Sequence, residues 1–175
     1  MPVVQSDLFD RPGLAGLTQA GAIVTPNEER VLIAAIDDVE LSPFRFHGWL
    51  GKRLTASYGW RYDFDSGSFG PTNPIPNWLL PVREKAASFA RLSPNDLVQA
   101  LVIRYDPGAG IGWHCDRPVF EHVLGVSLGA PSRCGSGDAG PAASNARRHY
   151  WHPGRSTISQ VRRGTNGNTA SRRWR

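Results

Sequence analysis

The chain has 175 residues, a formal net charge of +5 and a pI of about 9.8. That length fits one domain with its own core, and a basic pI invites a nucleic-acid partner. The charge distribution excludes a uniformly basic coat for DNA: residues 131–175 hold nine Arg and a single acid, Asp138, whereas residues 1–130 hold 11 Lys+Arg against 14 Asp+Glu.

No apolar run approaches the roughly 18 residues of a membrane span, so no membrane partner is expected. The N-terminus has neither a basic leader nor a long apolar stretch, which argues against a secretory signal. Cys115 and Cys134 are the only cysteines and form no C-x-x-C pair. The expectation is a cytoplasmic, monomeric protein without a disulfide framework.

Residues 1–24 read as an extended entry segment. Thr25-Pro26-Asn27-Glu28 carries a cap, a proline at the first helical position and a capping-box acid. Val31, Leu32, Ala35 and Ile36 then form one apolar stripe, which predicts a helix over 26–38. Residues 40–70 are rich in aromatics and glycine. Tyr58, Trp60, Tyr62 and Phe64 alternate, which predicts one strand with aromatics on a single face. Pro71, Pro74 and Pro76 form a rigid loop. A second helix is predicted from Trp78 to Leu92, with Pro81 tolerated in its first turn. Val98–Tyr105 reads as a buried strand, Asp106–Gly110 as a turn, Ile111–Asp116 as extended, and His122–Leu128 as a further strand. Helices early and strands late predict an α+β domain with a strand-built core.

After Ala130 neither period survives. Residues 131–175 contain only Ile158 and Val161 from the Ile/Leu/Val/Phe set, too little apolar surface to offset the entropy of ordering. The expected organisation is therefore a domain over 1–130 followed by an Arg/Gly/Ser-rich disordered tail over 131–175.

The chemistry concentrates in residues 103–118, Ile-Arg-Tyr-Asp-Pro-Gly-Ala-Gly-Ile-Gly-Trp-His-Cys-Asp-Arg-Pro. His114 and Asp116 are two apart, so on a strand both project from one face. An imidazole and a carboxylate converging there supply two members of a 2-His-1-carboxylate triad for non-haem Fe(II). A bare H-x-D also fits a surface His beside a turn Asp.

The Y-D-P-G turn and the G-I-G-W-H-C-D-R-P string together resemble the AlkB-like family of Fe(II)/2-oxoglutarate-dependent dioxygenases. Ser57–Phe64 (Ser-Tyr-Gly-Trp-Arg-Tyr-Asp-Phe) is similar to the family's nucleotide-recognition lid. Pro74–Pro81 is similar to the entry of the helix before the core, and Val123–Gly129 to the strand after the iron motif. The likeness runs in consistent order over residues 20–130.

The resemblance implies a double-stranded β-helix (jelly-roll) core with N-terminal helices. It implies Fe(II) on His114 and Asp116, with 2-oxoglutarate and O2 as co-substrates and Tyr105 hydrogen-bonding 2-oxoglutarate. It implies oxidative dealkylation of N-alkylated bases in single- or double-stranded nucleic acid. A stacked base cannot reach such a centre, so it must be flipped or already single-stranded. Trp60 and Tyr62 are the candidates to stack on it, with core packing as their alternative role. Ile103 stands where many members carry Asn. Lys52 and Arg53 read as solvated lid charges, with phosphate contact as the alternative.

Three family elements are not found in the sequence: a distal iron His, an Arg for the far carboxylate of 2-oxoglutarate, and the C-terminal strands that carry them. His122 follows the H-x-D too closely, and His149 and His152 lack a flanking strand pattern. Back-translation of residues 131–175 in a shifted frame restores apolar periodicity. It also yields a Trp-Gln-His-Ser-Ile string like that around the family's distal His, whose codon would straddle those of Asn168 and Thr169. A frameshift near Pro131-Ser132 is the expected cause, and an inactive polypeptide the expected result. The chain ends before that frame would supply the Arg. The alternatives are sequence-independent nucleic-acid binding through the Arg-rich tail, or an oxygenase acting on protein or a small molecule.

Overall fold

A computed structural model of the chain describes residues 17–21, 23–115, 119–129, 133–137, 147–150, 157–162 and 171–174. It is a mixed α+β protein in which every strand pair is antiparallel. The entry strand β1 (Leu17–Gly21) leads to helix α1 (Pro26–Asp37). The expected capping box is formed: Thr25 Oγ1 accepts from the Glu28 amide at 3.2 Å, and the Glu28 carboxylate accepts from the Thr25 amide at 2.7 Å. These bonds satisfy amide donors that a helix start otherwise leaves open.

Helix α1 is rotated from the predicted stripe. Leu32 is buried and Ala35 and Ile36 are partly buried, but Val31 is 60% exposed, and Glu29 takes the inward place one turn before Leu32. Glu29 is tolerated there because Oε1 accepts the Gly129 amide at 2.8 Å, so the buried carboxylate keeps a partner. Helix α2 (Leu80–Ala90) follows a 3-10 turn at Asn77–Leu79, and Arg91 ends it in the left-handed region at φ 57°. Its buried Ala86 and Ala87 allow close approach. Lys85 reaches both Glu28 carboxylate oxygens at 2.7 and 2.8 Å, tying α2 to the start of α1.

Between the helices lie β2 (Ser42–Phe46), β3 (Trp49–Tyr58), β4 (Trp60–Tyr62) and β5 (Phe69–Pro71); β6 (Ala100–Arg104) follows α2. Strands β2, β3 and β6 form one sheet with β3 central, and β4 pairs with β5. The single aromatic strand predicted over 58–64 is instead broken at Gly59. Its φ is +75°, and a Cβ there would collide with the Val98 carbonyl oxygen. The Gly59 amide donates to Asn73 O at 2.6 Å and its carbonyl accepts from Thr72 at 2.9 Å, so the chain turns into the β4–β5 hairpin.

Strand β6 is also less buried than its apolar run predicts. Val102 is buried, but Leu101 and Ile103 on the other face are 45% and 37% exposed. It alternates like a strand covered on one side only.

The remaining strands are β7 (Ile111–Cys115), β8 (His122–Ser127), β9 (Arg133–Gly137), β10 (Arg147–Tyr150), β11 (Thr157–Arg162) and β12 (Ser171–Trp174). Two sheets contain them, in the orders β1-β11-β8 and β10-β9-β12-β7. Regular backbone thus appears at four places in the stretch expected to lack it. A ladder satisfies backbone donors and acceptors whatever the side chains are. Segment β11, with Thr157, Ile158 and Val161, also has residues favoured in strands.

Candidate functional site

Tyr105 immediately follows β6, and the β3–β6 register, in which Leu54 faces Arg104, sets it beside Arg53. The Arg53 guanidinium hydrogen-bonds Tyr105 and lies 3.7 Å above the Phe44 ring centroid. Phe44 reaches this position at an irregularity of the β2–β3 ladder between Pro43 and Arg45. Arg53 is 8% exposed, and its buried Nε has no hydrogen-bond partner. Burial pulls the guanidinium below its usual pKa, opposed by the Tyr105 contact.

The reading of Arg53 as a solvated lid charge is therefore corrected. Lys52 is exposed, but the next residue of β3 points to the opposite face, under Phe44. Sequence inspection missed this because the signal is long-range. Arg53 looks like its neighbour Lys52 until the β3–β6 pairing sets it against Tyr105.

The two aromatic candidates sit on the adjoining hairpin. Tyr62 packs edge-on to Phe64 with centroids 5.0 Å apart, and Phe64 packs edge-on to Phe44 at 5.2 Å. A continuous line of contacts therefore joins Tyr62, Phe64, Phe44, Arg53 and Tyr105. Trp60 belongs to a second group: it stacks on Phe69 at 5.0 Å and remains 38% exposed, and Phe69 meets Phe120 edge-on at 5.5 Å. At the hairpin tip the Asp63 carboxylate accepts the Asp65 and Ser66 amides, each at 2.9 Å. Those amide bonds, that of Ser66 foremost, hold the carboxyl below its usual range.

The Asp106–Ala109 turn connects β6 to β7; the Ala109 amide donates to Asp106 O at 2.8 Å. His114 lies on β7, where its backbone faces Arg172 of β12. Asp116 lies outside the described residues, as do the expected positions of the distal His codon, Asn168 and Thr169. Among the described residues, no group of three or more His, Cys, Asp or Glu is placed to hold a metal ion. His122 on β8 is 3.7 Å from Glu121. No helix among the described residues is long and apolar enough to cross a membrane.

No family model and no curated protein matches the chain. Solved structures do: 31 chains match. One, titled "The structure of OsALKBH1", superposes with a TM-score of 0.59 over 91% of this chain and 96% of that one, at 13% sequence identity. The likeness establishes an AlkB-like fold.

Proposed function

We propose that the chain is built on the scaffold of an Fe(II)- and 2-oxoglutarate-dependent dioxygenase that removes alkyl groups from nucleobases in DNA or RNA. We further propose that residues 131–175 derive from a shifted reading frame, so that this polypeptide turns over little or not at all. The observation that carries the dealkylase reading is the likeness to an AlkB homologue over 91% of the chain, with the His114-x-Asp116 spacing beginning on β7; the frameshift reading rests on the loss of apolar period after Ala130.

The residues fit the co-substrate better than the metal. Tyr105 stands beside a buried guanidinium with an unpartnered donor, which suits a carboxylate. For iron, the described residues supply only the position of His114 on β7. When bound, Fe(II) with 2-oxoglutarate and O2 would supply the oxidation that removes an N-alkyl group as an aldehyde, with succinate and CO2 as the co-products. The chain's own residues serve recognition. Trp60 offers exposed indole surface to a flipped or unpaired base, and Tyr62 is braced by Phe64 on the line that leads to Tyr105.

The test compares this polypeptide with a version whose frame is restored after codon 131. Both are supplied with Fe(II), 2-oxoglutarate and an N-methylated single-stranded oligonucleotide. The restored chain is expected to demethylate, and the present chain to show little or no product. Equal turnover by both would overturn the inactivity. No product from either would overturn the dealkylase reading.

A second reading, sequence-independent nucleic-acid binding, is favoured by the nine Arg in residues 131–175. Deleting 131–175 abolishes all binding if the tail alone is responsible, and leaves binding to methylated oligonucleotide if the lid contributes.

A further inference from the structure

The only buried cation among the described residues is Arg53. Three other cations form ion pairs near the surface: Arg61 with Asp63, Lys85 with Glu28 and Arg104 with Asp106. Among the described residues, the Arg53 contacts are a ring face and a phenol. A ring quadrupole and a hydroxyl dipole offset part of the cost of a desolvated charge, but neither is a counter-ion, and buried charges ordinarily have one.

The unpartnered atom narrows the missing partner. The guanidinium carbon lies 3.7 Å from the Phe44 ring centroid, and its donors radiate in its own plane. One of them, Nε, is buried and unused. An acceptor with two oxygens in one plane suits that fork best. Arg53 is 8% exposed, which gives little access to the phosphates of a polynucleotide backbone and favours a small carboxylate.

We propose that Arg53 and Tyr105 form an anion-binding pair that takes one carboxylate of a small dicarboxylate. In that role Arg53 substitutes for the co-substrate arginine that the sequence after residue 130 does not supply. The identity of the dicarboxylate as 2-oxoglutarate rests on the dealkylase reading; the anion site rests on the geometry of Arg53.

The test is calorimetric titration of the full-length, metal-free chain with 2-oxoglutarate, succinate and inorganic phosphate as separate probes. 2-Oxoglutarate is expected to bind one per chain. Arg53→Gln should weaken it by roughly 10- to 100-fold, the scale of losing a charge-assisted hydrogen bond. Tyr105→Phe should weaken it less, and Arg53→Lys should retain part of the affinity. As a check that needs no variant, phenylglyoxal labelling of the wild-type chain should be slowed at Arg53 by 2-oxoglutarate.

Three results overturn the proposal: no binding by the wild type at millimolar probe, unchanged affinity in Arg53→Gln, or phosphate binding more tightly than either dicarboxylate. If Arg53→Gln fails to fold, absence of protection in the labelling experiment overturns it alone. The two proposals fail separately. Arg53-dependent binding by a chain whose frame-restored form never demethylates upholds the anion site and removes the dealkylase reading. Demethylation with Arg53-independent binding does the reverse.

Discussion

Arg53 hydrogen-bonds Tyr105 across the β3–β6 ladder while its guanidinium lies on Phe44, and its Nε is left without a partner. One side chain thus joins the Tyr62–Phe64–Phe44 line of rings to Tyr105. Such an arrangement costs stability in the ligand-free protein, because a desolvated charge carries a penalty of several kcal/mol.

That cost is measurable. Arg53→Met keeps much of the volume and removes the charge. The loss is a cation–π contact of up to about 2 kcal/mol and a charged hydrogen bond of about 1.5–3 kcal/mol; the gain is relief of desolvation. The balance predicts a ligand-free variant as stable as the parent or more so, by about 1 kcal/mol. Chemical denaturation of both proteins checks this, and a marked fall in stability would show that Arg53 is a structural residue.

Gly59 is the second sensitive point. Its φ of +75° and the Val98 carbonyl together leave no room for a Cβ. Gly59→Ala is expected to cost about 3 kcal/mol from backbone strain, with the steric overlap adding to it. A thermal melt that moved by no more than one or two degrees would contradict the tight turn between β3 and β4.

These positions show what was legible in the sequence. The start of α1 was readable because Thr25, Pro26 and Glu28 form a local code, and the code is satisfied by local bonds. The β6–turn–β7 segment was readable because Asp106–Gly110 separates two apolar runs. The break at Gly59 was not, since the period-2 aromatic pattern continues through it and the Val98 carbonyl that requires glycine is distant in sequence. Burial of Arg53 was hidden for the same reason. The outward turn of Val31 was hidden because Glu29 takes an inward place that hydropathy assigns to an apolar residue. Among the site residues, Tyr105, Trp60 and Tyr62 fall on described, contacting elements, whereas Asp116 lies outside the described residues. The backbone of β9–β12 went unread because ladder formation there is not written in an apolar period.

The contact between Glu28 and Lys85 predicts a pH dependence. The Lys85 hydrogen bond, followed by the Thr25 bonds, lowers the Glu28 pKa from 4.5 to about 2. A carboxyl whose pKa is lower in the folded state contributes stability at pH above the unfolded value, and that contribution is lost as pH falls through the folded one. The thermal midpoint should therefore drop between about pH 4.5 and pH 2. Glu28→Gln should flatten this part of the profile and leave the remainder unchanged. An identical acid limb in the variant would contradict the pairing.

We propose that an alkylated-base dealkylase scaffold underlies this chain and that residues 131–175 are out of frame. The most direct measurement is succinate and aldehyde release from 2-oxoglutarate and an N-methylated oligonucleotide, by this chain and by the version with its frame restored after codon 131. The account predicts one aldehyde per succinate from the restored chain, and little or none of either product from the present one. Failure of the restored chain to release aldehyde, with Fe(II), O2 and 2-oxoglutarate all supplied, would contradict it.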